Sequence, residues 1–217
     1  MVKKMVLISR KSVIPERIRR ASFTFSATSI QRNSLLKDPY RQFCRELVMT
    51  IDTPRLILMP LTLEQLALHV ANDQRLEQSL GLQKGHRAVV EPVLSVITHF
   101  TIPRLRDPKN DPLFHTMWVA IDRQTKQIVA EAKFKGEPDE TGTVEIGYGT
   151  YPGYQRQGYM TEMVGNMVDW AGQQPDVWRV VADTDVENVA SQKVLEKNQF
   201  QLFDRIETML WWERLFE

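Results

Sequence analysis

The sequence holds a single cysteine, Cys44, so no disulfide can form within the chain. A reducing, cytoplasmic setting is the natural expectation. The four histidines, His69, His86, His99 and His115, show no metal-ligand spacing, and no metal is expected. No apolar run approaches the roughly 18 residues of a transmembrane helix. Met5 to Ile8, behind Lys3 and Lys4, is too short for a signal-peptide core. A membrane partner is therefore not expected. Neither sign of charge dominates: the formal net charge of +1 gives the whole molecule no electrostatic bias toward nucleic acid. Internal repeats and low-complexity tracts are also missing.

What remains is a chain of 217 residues, 42% hydrophobic and 25% charged, enough for one ordinary domain and some extra sequence. Its charge is segregated. Residues 1–50 carry 11 Lys/Arg against 3 Asp/Glu, and the remainder is net acidic. Such asymmetry separates a tail from a folded domain. Residues 1–48 are Arg-, Ser- and Thr-rich without a sustained period. They read as a disordered or artefactual extension ahead of a start at Met49. A transit peptide or a basic arm for RNA or the ribosome are the other readings. A domain over 49–217 follows.

That domain opens with Thr53 to Met59, a strand ended by Pro60. Thr62 and Gln65 make a capping box for a helix reaching about Leu80. Val89, Val93, Val96, Ile97 and Phe100 recur at helical spacing, giving a second helix that stops before Pro103. Thr116 to Ile121 and Gln127 to Phe134 read as a hairpin, and Thr143 to Thr150 as a further strand. From Gly158, Met160, Met163, Val164, Met167, Val168 and Ala171 share one helical face up to Gly172. A strand over Val177 to Asp183, a helix over Asn188 to Lys197 and two strands within Gln201 to Trp212 complete an α/β (α+β) order. One mixed, mostly antiparallel sheet with helices on both faces accommodates it.

The chemistry concentrates where the strand Thr143–Thr150 runs through a polar loop into the helix at Gly158. A helix N-terminus offers unpaired N–H groups and a positive dipole end, a ready site for phosphate. Gly158 allows close backbone approach. Gln155, Arg156 and Gln157 add side-chain donors. A plain tight turn into a helix would leave the same trace.

Two ordered motifs narrow the reading. Glu145-Ile146-Gly147-Tyr148, with Pro152 and Tyr154 ahead of Gln155-Arg156-Gln157-Gly158-Tyr159-Met160, resembles the fourth strand and Q/R-x-x-G-x-G/A loop of the GNAT superfamily of N-acetyltransferases. Asn188-Val189-Ala190-Ser191 with Val194-Leu195-Glu196-Lys197 and Phe200 resembles that family's later helix. Thr53-Pro54-Arg55-Leu56 resembles the opening strand of its ribosomal-protein alanine and serine N-acetyltransferase branch. The resemblance spans about residues 50 to 217. It implies a splay between the family's fourth and fifth strands that takes acetyl-CoA as co-substrate. Backbone groups of Tyr148 and Thr150 would pair with the pantetheine arm. Gln155, Arg156, Gln157, Gly158, Tyr159 and Met160 would wrap the pyrophosphate. Asn188 would bond the pantetheine, and could equally cap its helix. Ser191 would lie near the thiol.

Three departures from the pattern stand out. Met160 sits where Gly or Ala is usual. Asn198-Gln199 replaces the x-Gly before Phe200. Leu195 stands where several members have a tyrosine proposed as general acid. Glu145, between Val144 and Ile146, is the candidate general base, with Glu131 a weaker one; an exposed or structural Glu145 fits the sequence as well. His86 and Arg87 can line an acceptor pocket, although a solvated loop is the plainer reading. Trp118, Trp211 and Trp212 read mainly as core.

The implied reaction is acetyl transfer from acetyl-CoA to a primary amine of a small molecule or peptide. An acyl-CoA-binding regulatory module that has lost catalysis is the alternative. The acceptor (a protein N-terminus, a polyamine, an antibiotic or an amino acid) stays open, as does a homodimer.

Overall fold

A computed structural model of the protein describes residues 49–217. The basic extension and Cys44 lie outside the described residues. Strands β1 (Ile51–Asp52), β2 (Leu56–Pro60), β3 (Trp118–Asp122), β4 (Ile128–Phe134), β5 (Thr143–Thr150), β6 (Arg179–Asp185), β7 (Gln201–Ile206) and β8 (Met209–Leu215) form one sheet. Its order is β1-β2-β3-β4-β5-β6-β8-β7, antiparallel except for the parallel pair β5–β6. The expected mixed, mostly antiparallel sheet is therefore present, with one short strand, β1, more than the sequence suggested.

The helices are α1 (Leu63–Ala71), α2 (Arg75–Ser79), α3 (Val93–Val96), α4 (Ile102–Leu105), α5 (Pro112–His115), α6 (Tyr159–Ala171) and α7 (Val189–Lys197). Thr62 caps α1 with the full capping box to Gln65. The single helix expected up to Leu80 is broken. Asn72 (φ 56°) and Gln74 (φ 68°) adopt left-handed backbone, and Asn72 locks the break by exchanging side-chain bonds with the N–H and C=O of Val89.

The second expected helix also differs. Val89 lies before it, and it does not stop at Pro103. A π-helical turn over Ile97–Thr101 joins α3 to α4, and Pro103 sits inside α4. In a regular α-helix a proline ring collides with the carbonyl four residues back; the wider turn immediately ahead loosens that ladder. Pro60 likewise belongs to β2, as its last residue, opposite Trp118.

Side chains alternate across β4. Ala130, Ala132 and Phe134 share one face; Phe134 packs with Phe114 and with Trp170 of α6 at centroid distances of 5.5 and 5.7 Å. Glu131 and Lys133 point the other way, to His69 of α1 and Thr101 of the π turn. The six apolar residues of α6 singled out by their spacing are all buried. Trp118 and Trp212 are buried too, while Trp211 is only partly so.

Candidate active site

β5 and β6 pair only through Thr143–Glu145 and Arg179–Val181. Beyond Glu145 the two strands part, which is the expected splay. The Glu145 carbonyl accepts from Lys135 N–H, and Tyr151 N–H donates to Val129, so these odd-numbered residues bond toward β4. Backbone polar groups alternate sides along a strand. The N–H and C=O of Ile146, Tyr148 and Thr150 therefore face the gap.

A cavity of about 620 Å³ opens there. Tyr148, Gly149 and Thr150 form one wall, the loop Tyr154–Arg156 and the start of α6 a second, and Asn188 to Lys197 a third. Of the residues expected around the cofactor, Tyr148, Thr150, Gln155, Arg156, Gly158, Tyr159, Met160, Asn188 and Ser191 all line it. Gln157 does not. Its carbonyl accepts from Arg55 Nη1 at 2.8 Å and its side-chain amide donates to the Gly153 carbonyl at 3.0 Å, so it shapes the loop from outside.

The loop turns through left-handed backbone at Gly153 (φ 88°), Arg156 (φ 62°) and Gly158 (φ 80°). Such turns make a concave backbone suited to anions. Gly158 carries no Cβ at the mouth of α6, and an added one would approach Arg55 Nη2 at 3.3 Å. Arg55 clamps this end of the site. Its Nε meets Glu162 Oε2 at 2.7 Å, its N–H meets Oε1 at 2.8 Å, and its guanidinium lies 4.9 Å from the Tyr159 ring centre. Burial would raise the Glu162 pKa, but bonds from Thr53 and Arg55 outweigh it and hold it below the usual range. Nothing in the sequence around Arg55 announced this role. Lys193 and Lys197 of α7 were also missed, although their i, i+4 spacing puts them on one helical face.

Asn188 caps α7, its carbonyl oxygen accepting from Ser191 N–H at 3.1 Å. Met160 keeps most of its side chain in the core while touching the cavity. Gln199 (φ 65°), rather than Asn198, takes the left-handed turn after α7. The Tyr148 hydroxyl lies 2.7 Å from Ser191 Oγ, and burial pushes its pKa up to about 12. Leu195 is fully buried and offers no proton.

Glu145 stands at the vertex of the gap, outside the cavity lining. Lys135 Nζ bonds both its carboxylate and that of Asp183, the latter at 3.0 Å. Burial raises the Glu145 pKa; Lys135 draws it back, and neighbouring Asp183 adds to the rise. Burial also works against the Asp183 anion, but Lys135 wins there and lowers that pKa. Asp183 went unremarked in the sequence because its partner Lys135 lies 48 residues away.

Glu131 is buried and committed: His69 Nε2 lies 2.9 Å away, and the Tyr151 hydroxyl donates to it. Arg87 proves not to be solvated. Its guanidinium is buried, binds both Glu77 oxygens at 2.6 and 3.0 Å, and donates to the His69 carbonyl. His86 is exposed beside Tyr154. Among the described residues no cluster of His, Cys, Asp or Glu could hold a metal, and no helix is long and apolar enough to cross a membrane.

A sheet opened at one parallel pair, with a helix start of anion-compatible geometry at its mouth, is an arrangement found in acyl-transfer enzymes, and comparison with known proteins agrees. The family described as acetyltransferase (GNAT) domain matches residues 55–201. An uncharacterized N-acetyltransferase of Bacillus subtilis (strain 168), YjdG, is 27% identical over 155 residues, covering 71% of this chain and 91% of that protein. The fold is similar to that of RimL, the ribosomal L7/L12 alpha-N-protein acetyltransferase, solved in complex with coenzyme A. There the TM-score is 0.54 at 17% identity, over 77% of this chain and 98% of that one. It is also similar to the ribosomal-protein-S5-alanine acetyltransferase from Vibrio fischeri, with TM-score 0.54, 14% identity, and 77% and 96% covered. The chain belongs to the GNAT family of acetyltransferases.

Proposed function

We propose that the protein transfers an acetyl group from acetyl-CoA to a primary amine, with acetyl-CoA lying in the gap between β5 and β6. The observation that carries this reading is the backbone of Tyr148 and Thr150, turned unpaired into a cavity that ends on the start of α6. A pantetheine arm has amide donors and acceptors to pair with it, as an added strand would. The loop Gln155–Met160 and Arg156 suit the pyrophosphate. Lys193 and Lys197 suit a further phosphate on the α7 wall.

The thioester then reaches the vertex near Glu145. Ile146, on the same face of β5 as Tyr148, and Leu195 of α7 are both buried. On the opposite face Gly147 and Gly149 leave the strand surface open: a Cβ at Gly149 would meet nothing within 4 Å. The amine is therefore taken to approach from that face. Its nitrogen attacks the thioester carbon, and Glu145, with its raised pKa, accepts the amine proton. The leaving sulfur receives a hydrogen bond from the Ser191 hydroxyl, itself paired with Tyr148. Positioning and these donors supply most of the acceleration.

The test is release of free CoA thiol from acetyl-CoA across a panel of primary amines, alongside calorimetric binding of acetyl-CoA. Binding without turnover on any amine would instead favour a binding module.

A further inference from the structure

Lys133 is the middle residue of a row, with Glu131 and Lys133 on β4 and Lys135 just past its end, on the face that meets α1 and the π turn. Its neighbours in the row are taken. Glu131 is held by His69 and Tyr151, and Lys135 by Glu145 and Asp183. Lys133 is not. Its largely buried ammonium donates only to the Thr101 hydroxyl, at 2.9 Å, and among the described residues it forms no ion pair. Arg104, one turn further along α4, forms none either and is close enough to repel both Lys133 and His115. Burial first, then Arg104 and Lys135, lower the Lys133 pKa to about 8, so at neutral pH it still carries its charge.

An unpaired ammonium held against like charges is costly, and such groups concentrate where a ligand completes them. The place is specific. Lys133 stands opposite Gly147 in register; a Cβ at Gly147 would touch only Lys135 Cε, at 3.7 Å, and one at Gly149 would meet nothing within 4 Å. Glu145 is its diagonal neighbour across the two strands, a separation of about 7–8 Å between backbones. The strip of β5 thus begins at the carboxylate proposed to take the amine proton and is flanked at Gly147 by an ammonium without an ion-pair partner among the described residues, with Glu131 opposite Gly149 beyond it.

We infer that Lys133, supported by Arg104, binds an anionic group of the acceptor, so that the acceptor is an amine carrying a carboxylate a few ångströms away. Polyamines and other polycations are disfavoured by the same charges. This rests on the acetyl-transfer reading. Free amino acids and peptides with an acidic residue at their N-terminus share the required chemistry. Lys133 is a specificity-determining residue here, not a catalytic one.

The experiment uses the full chain with acetyl-CoA at pH 7 and matched acceptors: glycine, β-alanine and 4-aminobutyrate, their carboxamides, putrescine, and short peptides beginning with Asp, Glu or Ala. The expected kcat/KM favours each carboxylate over its amide by about tenfold or more, the scale of a hydrogen bond to a charged group. Lys133→Met should collapse that ratio by about tenfold, and Arg104→Gln, at an exposed position, should reduce it less. Preference for free amino acids or for acidic peptides separates the two sources. A wild-type preference for amides or putrescine, or a ratio unmoved by Lys133→Met, overturns the inference. Calorimetry of N-acetyl-β-alanine against its amide, with CoA present, reads the same subsite without turnover. Equal binding of the two overturns it, whereas lack of turnover on every amine with a clear carboxylate preference in binding would count against the transferase reading alone.

Discussion

The hydroxyl of Tyr148 on β5 lies 2.7 Å from that of Ser191 on α7, joining the two walls of the cavity. With Leu195 inert, this pair places two hydroxyls on the α7 side of the gap. Ser191→Ala should lower kcat about tenfold with a smaller change in the KM for acetyl-CoA. Tyr148→Phe should act in the same direction, less strongly. Because burial lifts Tyr148 to about 12, its hydroxyl stays protonated throughout the working range, and ionisation of Tyr148 should leave no alkaline limb below about pH 11. Steady-state rates for both variants from pH 6 to 10 check this.

The vertex cluster predicts an acidic limb. Glu145 must be ionised to accept a proton, and its pKa is raised, so kcat/KM should fall as pH drops through a value above the usual carboxylate range. Glu145→Gln should reduce the rate by about 10²-fold or more and flatten that limb. Lys135→Met removes the cation that favours the Glu145 anion, so the limb should move to higher pH. A rate profile shared by wild type and Glu145→Gln would remove Glu145 from the mechanism.

Arg156 keeps a left-handed backbone that glycine adopts without strain. Arg156→Gly should therefore raise folding stability by up to about 1 kcal/mol while weakening acetyl-CoA binding through loss of the guanidinium. Arg156→Ala should weaken binding without the gain in stability. Urea denaturation and acetyl-CoA titration of the two variants separate backbone from charge.

Lys133 predicts a second trade between stability and function. Its folded pKa lies below its unfolded one, so the folded state resists protonation. The native protein thus loses stability as pH falls from about 10.5 to about 8, and below that range carries the full penalty, on the order of 3 kcal/mol. Lys133→Met should raise the urea midpoint at pH 7 by removing that penalty, less the lost bond to Thr101. The gain should shrink toward pH 10. Arg104, Lys135, His115 and Thr101 face the same ammonium and remain in the variant.

The sequence carried the site better than it carried the acceptor side. The α6 stripe, the glycine at its start and the Asn188 cap are local patterns, and each appears where its spacing indicated. The break at Asn72 and the π turn before Pro103 depend on tertiary bonds and on ladder geometry, which short-range periodicity does not contain. Arg55, Lys135, Asp183 and the buried Glu77–Arg87 pair were invisible for a related reason. Their partners are 10 to 107 residues distant, and nothing in their immediate neighbours records the pairing.

The parting of β5 from β6 leaves two half-sheets joined edge to edge by three residue pairs. Each half ends at that seam in backbone groups with no strand beside them, an interior edge of the kind most folds keep covered. A ligand that zips the seam would act as mortar as well as reagent. The rigidity of the molecule would then follow the supply of its co-substrate, with the two halves breathing against each other when the thioester is scarce and moving as one body when it is plentiful.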